Sequence, residues 1–356
     1  MGSGKIRGPV GALDHGARLL FPGYFALVMA TGVISIACQI LGMRPIALML
    51  VAVNWIAYPI LCLLTLIRIL RYPGLLMRDL FDHQRAPGFF TLVAGTCVLG
   101  TQNMVVLGAR DVALALWWLG AGLWFVLMYT FFTAVTVRAT KPSLARGING
   151  AWLIASVATQ SIVVLRATID ATAPNQVIQF QMVAMFMIGS MLYLAIIPLI
   201  FYRLTFVALS HEEFSPPYWI NMGAVAISAL AGSLLILRGD AWPLLGPLLP
   251  FIRGFTFFFW ATATWWIPFL FSLMIWRYLW KRDRFRYEPA VWGMVFPLGM
   301  YTTSTFQFAR AMGYDFLGPI PASFVYVALT AWVLAVAGLI RRIAANLAPA
   351  DTSGAS

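Results

Sequence analysis

A set of hydroxyl and amide side chains sits inside the long apolar runs of this chain: Thr31, Thr96, Thr101, Gln102, Asn103, Thr159, Gln160, Ser228, Thr302, Thr303 and Gln307. Neutral donors in such surroundings can replace part of the water shell of a small anion. Taken singly, each serves to bond back to its own helix or to join neighbouring helices. Two things set them apart: they are concentrated on alternate apolar runs, and no acid accompanies them. All 12 acidic residues, from Asp14 to Asp351, lie outside those runs, and so do His15, His83 and His211. Proton-driven pumps and cation carriers usually keep a carboxylate within the membrane, and a buried imidazole is the other common proton relay. A path without fixed negative charge does not repel anions.

Other chemistry finds little support. There is no HExxH, no GxSxG and no pair of acids within an apolar run. His211-Glu212-Glu213 lacks the second histidine of a zinc site. Cys38, Cys62 and Cys97 fall inside apolar runs without CxxC spacing, as small core residues do. No enzyme, cofactor or metal is therefore expected. The net charge of +12 would suggest nucleic acid as a partner for a soluble protein. In a chain that is 61% hydrophobic and 10% charged, it is read as Lys and Arg setting membrane topology.

The elements that must position these residues are ten apolar spans, at 20–41, 46–69, 88–108, 112–137, 150–168, 178–207, 218–237, 251–279, 290–312 and 320–341. Residues 1–18 are too polar for a signal peptide. They read as a cytoplasmic segment before a ten-helix domain over 19–345, with a cytoplasmic tail at 346–356. Of the 24 Lys and Arg, 18 fall on the side of both termini and 6 on the other, so both termini are expected in the cytoplasm. The strongest anchor is the group Lys281, Arg282, Arg284 and Arg286. Short outer connections make each odd span and its successor a helical hairpin. The odd spans hold 11 glycines and 13 aromatics, the even spans 5 and 30. Glycine lets helix backbones approach, and aromatics suit lipid or subunit contact. The expected architecture is all-α, with odd helices inside and even helices outside.

The odd spans also open alike. PGYFALVMATG from Pro22 matches PGFFTLVAGTC from Pro87, and the later odd spans enter through Gly150 and Trp152, Pro217 to Trp219, and Pro289 and Trp292. This reads as a repeat in the first two units, extending more weakly to the rest. In span nine, Pro297 removes a backbone hydrogen bond and loosens the helix. Phe296 beside it is either a core ring next to a membrane proline kink or an apolar plug in a path. Arg166, Arg253 and Arg310 near outer span ends either snorkel to headgroups or form a positive vestibule.

FPGYFALVMATGVISIA and WGMVFPLGMYT together resemble the tellurite-resistance/dicarboxylate transporter family, across essentially the whole chain. The resemblance implies five hairpins around a quasi-fivefold axis, odd helices lining a central pore, and homotrimers in the cell membrane with one pore per subunit. It implies a gate at Phe296, before Pro297, and anionic substrates such as chloride, nitrate, sulfite or C4-dicarboxylates, malate among them. The lining candidates on this view are Thr31, Gly32, Thr96, Gln102, Thr159, Ser228, Gly299 and Thr303. The Thr302 to Gln307 run departs from the family pattern, so selectivity is expected to be this chain's own.

Overall fold

A computed structural model describes residues 8–170, 175–239, 241–283 and 287–347. Arg284, Arg286, Asp240, Asp351 and the end of the C-terminal tail lie outside the described residues. Hydrocarbon offers no partner for peptide groups, so apolar runs of this length must satisfy their own backbones as helices. Among the described residues these runs form the helices α1 Ala26–Ile40, α2 Arg44–Arg71, α3 Phe90–Gln102, α4 Arg110–Val137, α5 Ile154–Ile169, α6 Gln176–Phe206, α7 Ile220–Leu237, α8 Leu249–Ile275, α9 Trp292–Met312 and α10 Pro319–Leu347. Among the described residues, nine helical segments are long and apolar enough to cross a bilayer. The other, α9, is the helix with the Thr302 to Gln307 run and Arg310, which lower its hydropathy, and 16 of its 21 residues are buried.

Each odd helix is entered through one 3₁₀ turn: Pro22–Phe25, Ala86–Phe89, Gly150–Leu153, Pro216–Trp219 and Pro289–Val291. Proline fits such a start because its φ is preset and the missing N–H would have no partner there. The third turn has no proline, and the Asn149 side chain accepts from the Ala151 amide at 2.9 Å instead. Among the described residues, the opposite ends of α1, α3 and α9 turn sharply through left-handed glycines, Gly42, Gly108 and Gly313.

The odd helices α1, α3, α5 and α7 have 78–94% of their apolar windows buried, against 22–50% for the even helices. Side by side they close a ring: α1 packs on α3, α3 on α5, α5 on α7, α7 on α9, and α9 back on α1. Each even helix packs outside the odd helix that precedes it in the chain. The inner and outer sets expected from glycine and aromatic content are thus the two layers of the fold.

The inner glycines work at the seams. A Cβ on Gly32 of α1 would lie 2.6 Å from Val98 of α3, one on Gly299 of α9 2.7 Å from Ile34 of α1, and one on Gly223 of α7 2.8 Å from Pro297 of α9. The 3₁₀ turns also touch one another in a closed circle at one end of the ring.

The N-terminal segment holds a helix, Gly8–Leu19, that hydropathy does not reveal because its mixed composition is not that of a span. Arg68 at the end of α2 donates to the Ala17 and Arg18 carbonyls at 2.9 and 2.7 Å, capping that helix. Arg68 pairs with the fully buried Asp79, which Arg85 also holds at 2.7 Å.

Gly150 tests the circle of turns. A methyl there would run into the backbone of Pro217 and Tyr218. Gly150→Ala is expected to cost about 1–3 kcal/mol and lower the melting temperature of the purified protein in detergent. Gly122→Ala, with nothing within 4 Å of the added carbon, should melt like the wild type.

Candidate functional site

Within the ring lies a cavity of about 280 Å³ whose wall draws on all five inner helices. Each supplies residues three or four apart, one face of a helix: Val33, Ile36 and Ile40 of α1; Val98 and Thr101 of α3; Ser161, Val164 and Thr168 of α5; Ile227, Leu230 and Leu234 of α7; Met300, Thr303, Gln307 and Arg310 of α9. These are the C-terminal halves of the helices, the end opposite the circle of 3₁₀ turns.

The wall is mostly aliphatic, and its hydroxyls have spent their protons. Thr101 donates to Cys97 O at 3.0 Å, Ser161 to Ala158 O at 2.7 Å and Thr168 to Val164 O at 2.7 Å. Thr303 reaches Val33 O at 3.5 Å. Strong donors remain only at the helix ends, in Gln307, Arg310 and Arg238. Among the described residues, no carboxylate lines the cavity.

Arg238 follows the last residue of α7, and its Nε donates to Ala167 O of α5 at 3.1 Å. Burial pushes its guanidinium below the usual arginine range, and the charge of Arg310 adds to this, while Asp170 works in the opposite direction. Arg310 is exposed, with Nη1 3.4 Å from Gln307 Oε1. Two cations therefore stand at the end of a cavity whose described wall carries no acid.

The vestibule candidates separate. Arg310 lines the cavity. Arg166 is buried, with Nε 2.7 Å from Asp170 and its guanidinium 4.8 Å from the centroid of the Trp117 ring. Arg253 is exposed on α8 and is not on the wall. Arg238 was not singled out from sequence. Its signal was position: α5, α7 and α9 each carry an arginine at or just beyond the last turn, where it also offsets the helix dipole.

Of the eight lining candidates, Thr303 is on the cavity wall. Thr31, Thr96 and Thr159 face outward and hold the outer layer. Trp332 of α10 donates to Thr31 at 2.9 Å, the Tyr58 hydroxyl of α2 is 2.8 Å from that of Thr96, and Trp124 of α4 donates to Thr159 at 2.8 Å. Trp260 of α8 bonds Thr305 in the same manner at 3.1 Å. In each case an outer helix is tied to the next inner helix around the ring. Thr31, Thr96 and Thr159 stand nine residues after Pro22, Pro87 and Gly150, so the repeat seen in the sequence has a repeated use. Gln102 accepts from Asn54 of α2 at 2.8 Å, and Ser228 bonds Ala224 O of its own helix. Gly32 and Gly299 lie at the helix seams described above.

Phe296 lies on the same face of α9 as the wall residues. It is one turn before Met300, and the series 296, 300, 303, 307, 310 steps by four and three. It is 1% exposed and no other aromatic ring packs on it among the described residues, although rings cluster densely on α8. Pro297 follows, wedged against Gly223 of α7. Phe296 and Pro297 are not on the cavity wall, and the Phe296 ring continues its stripe on α9 toward the circle of 3₁₀ turns.

A family model described as SLAC1, voltage-dependent anion channel, matches residues 20–340. The chain belongs to this family. Its curated relatives include an uncharacterised membrane protein of Mycobacterium tuberculosis, 33% identical over 156 residues, 44% of this chain and 79% of the relative. An uncharacterised transporter of Methanocaldococcus jannaschii is 23% identical over 90% of this chain and 94% of its own length. A sulfite efflux pump of Arthroderma benhamiae is 25% identical over 89% of this chain and 88% of the pump. Family membership makes the chain a multi-pass membrane transport protein rather than an enzyme, as the sequence suggested.

The arginines yield a direct test. Arg238→Ala and Arg310→Ala should each lower anion flux into liposomes, more at low than at high ionic strength, because salt screens the attraction between a distant ion and charges at a water-filled mouth. Arg253→Ala should leave flux unchanged at both. Equal losses from Arg238→Ala and Arg310→Ala at all salt concentrations would count against a role for their charge.

Proposed function

We propose that this chain is a transmembrane anion channel or uniporter that passes small inorganic anions, C4-dicarboxylates or both, with Phe296 as its gate. The observation that carries this reading is the acid-free cavity shared by all five inner helices, with Arg238 and Arg310 at its end. An anion drawn to that end by the arginines meets walls with few free donors. It must leave much of its water behind with little in return. Entry then favours weakly hydrated anions, and the cavity does not hold a permeating ion tightly.

The gate assignment rests on Phe296 lying one turn beyond Met300 and on the backbone hydrogen bond that Pro297 removes at that point. Apolar constrictions close a path by excluding water. On this reading the ten long helices all cross the cell membrane, with both termini in the cytoplasm and the arginine end of the cavity outside. The exposed rings of α8, including Phe251, Phe258 and Trp265, then face lipid or a neighbouring subunit of a homotrimer.

A second reading is favoured by the similarity to sulfite efflux pumps: a proton-coupled carrier of sulfite or a C4-dicarboxylate such as malate. With no acid or histidine in the inner helices, protons would have to travel on the substrate or through water. The two readings part in liposomes under an imposed pH gradient. A channel brings its anion only to electrochemical equilibrium, and accumulation above it would establish coupling.

The gate is tested by Phe296→Ala, which should raise anion conductance by at least tenfold, the effect of about 1.4 kcal/mol removed from a barrier. Near-zero currents from a mutant shown to be well inserted would overturn the gate.

A further inference from the structure

Four arginines and one carboxylate gather at the outer end of the ring, and the carboxylate is the least exposed among them. Asp170 follows the last residue of α5 and is 4% exposed. It lies 2.7 Å from Arg166 Nε and 3.5 Å from Arg110 Nη2 at the start of α4. Arg238 Nε is held by Ala167 O one turn before Asp170, and the charges of Asp170 and Arg310 act on Arg238 in opposite directions. Arg238 and Arg310 line the cavity, whereas Arg166 and Asp170 do not. The remaining acids described on this side, Asp111 and Asp315, are exposed.

We infer that Asp170 is a positioning residue that sets the electrostatic strength of the anion entrance. This rests on the anion-transport reading above. The carboxylate has two effects on the entrance. It keeps Arg166 folded against Trp117 and off the opening. It also offsets part of the field of Arg238, so that the mouth attracts anions without trapping them. Conduction requires this balance, since an ion must enter readily and also leave. The carboxylate is in contact with both guanidiniums, yet its Oδ2 and the facing Arg166 Nε complete no hydrogen bond among the described residues. Arg238, bonded to Ala167 O three residues before Asp170 and itself on the wall, is what ties the cluster to the cavity.

The alternative is that Asp170 only ties the end of α5 to the start of α4. A tie would alter insertion or thermal stability, and would change flux by the same factor at every salt concentration. A charge effect depends on screening. The Debye length is about 30 Å at ~10 mM salt and about 3 Å at ~1 M.

The experiment uses the full chain in planar bilayers with the Phe296→Ala gate opened. Adding Asp170→Asn should raise chloride conductance about threefold at ~10 mM external chloride and leave it unchanged at ~1 M. Asp170→Glu, which keeps the charge, should match its parent at both concentrations. Asp170→Asn combined with Arg166→Gln restores the net charge and should return the parental salt dependence, even if the single variant is poorly inserted. A conductance change of equal size at both concentrations, or a threefold rise that persists in the double variant, would overturn the role of Asp170 alone. Absence of current in the Phe296→Ala parent would overturn the conduction reading and this inference with it.

Discussion

Inside a bilayer, a polar group that finds no partner within the protein finds none at all. The structure depends on how that constraint is met in a ring whose centre is kept free of strong donors. Two uses recur among the hydroxyls of the inner helices. Thr31, Thr96, Thr159 and Thr305 take bonds from tryptophan or tyrosine on the outer layer. Thr101, Ser161 and Thr168 turn back onto carbonyls of their own helix. The first set builds the two-layer wall. The second leaves the interior smooth and nearly donor-free. Charge is confined to the ends, where Arg238 and Arg310 can meet water.

Much of the fold was legible in the sequence because composition reports layers. Glycine marks where backbones must approach, and aromatics mark the outer surface, so the sorting of odd from even helices needed no coordinates. The Pro22 and Pro87 openings revealed a repeat that the 3₁₀ turns and the threonine bonds then explained. Helix rotation was not legible. Thr31 and Val33 are two residues apart on one helix and therefore point roughly 160° apart. Nothing in an all-apolar segment says which of them faces the axis. Polar content singled out Thr31, yet the wall belongs to Val33, Ile36 and Ile40. A cavity lined by valine and leucine reads like ordinary packing until all five helices are seen to share it.

The same limit applies to the ends of helices. Arg166, Arg238 and Arg310 occupy similar places on α5, α7 and α9, but one is locked under Trp117 and Asp170 and two reach the cavity. Such differences arise from the connections between units, where the repeat is weakest. The Gly8–Leu19 helix was missed for a related reason, since its docking depends on the distant Arg68 and Asp79 pair and not on its own hydropathy.

The bonds from the outer aromatics to the inner threonines have a bearing on time as well as on shape. Turning an inner helix about its axis would leave a tryptophan N–H and a threonine hydroxyl stranded in a medium without water, at about 1–3 kcal/mol for each. Several such bonds around the ring make rotation of the helices slow, on the microsecond to millisecond scale of collective motions. A phenylalanine side chain is not held by those bonds. On the gate proposed at Phe296, with the ring of helices still while one torsion changes, a single pore would flicker between open and shut far faster than the wall around it can rearrange.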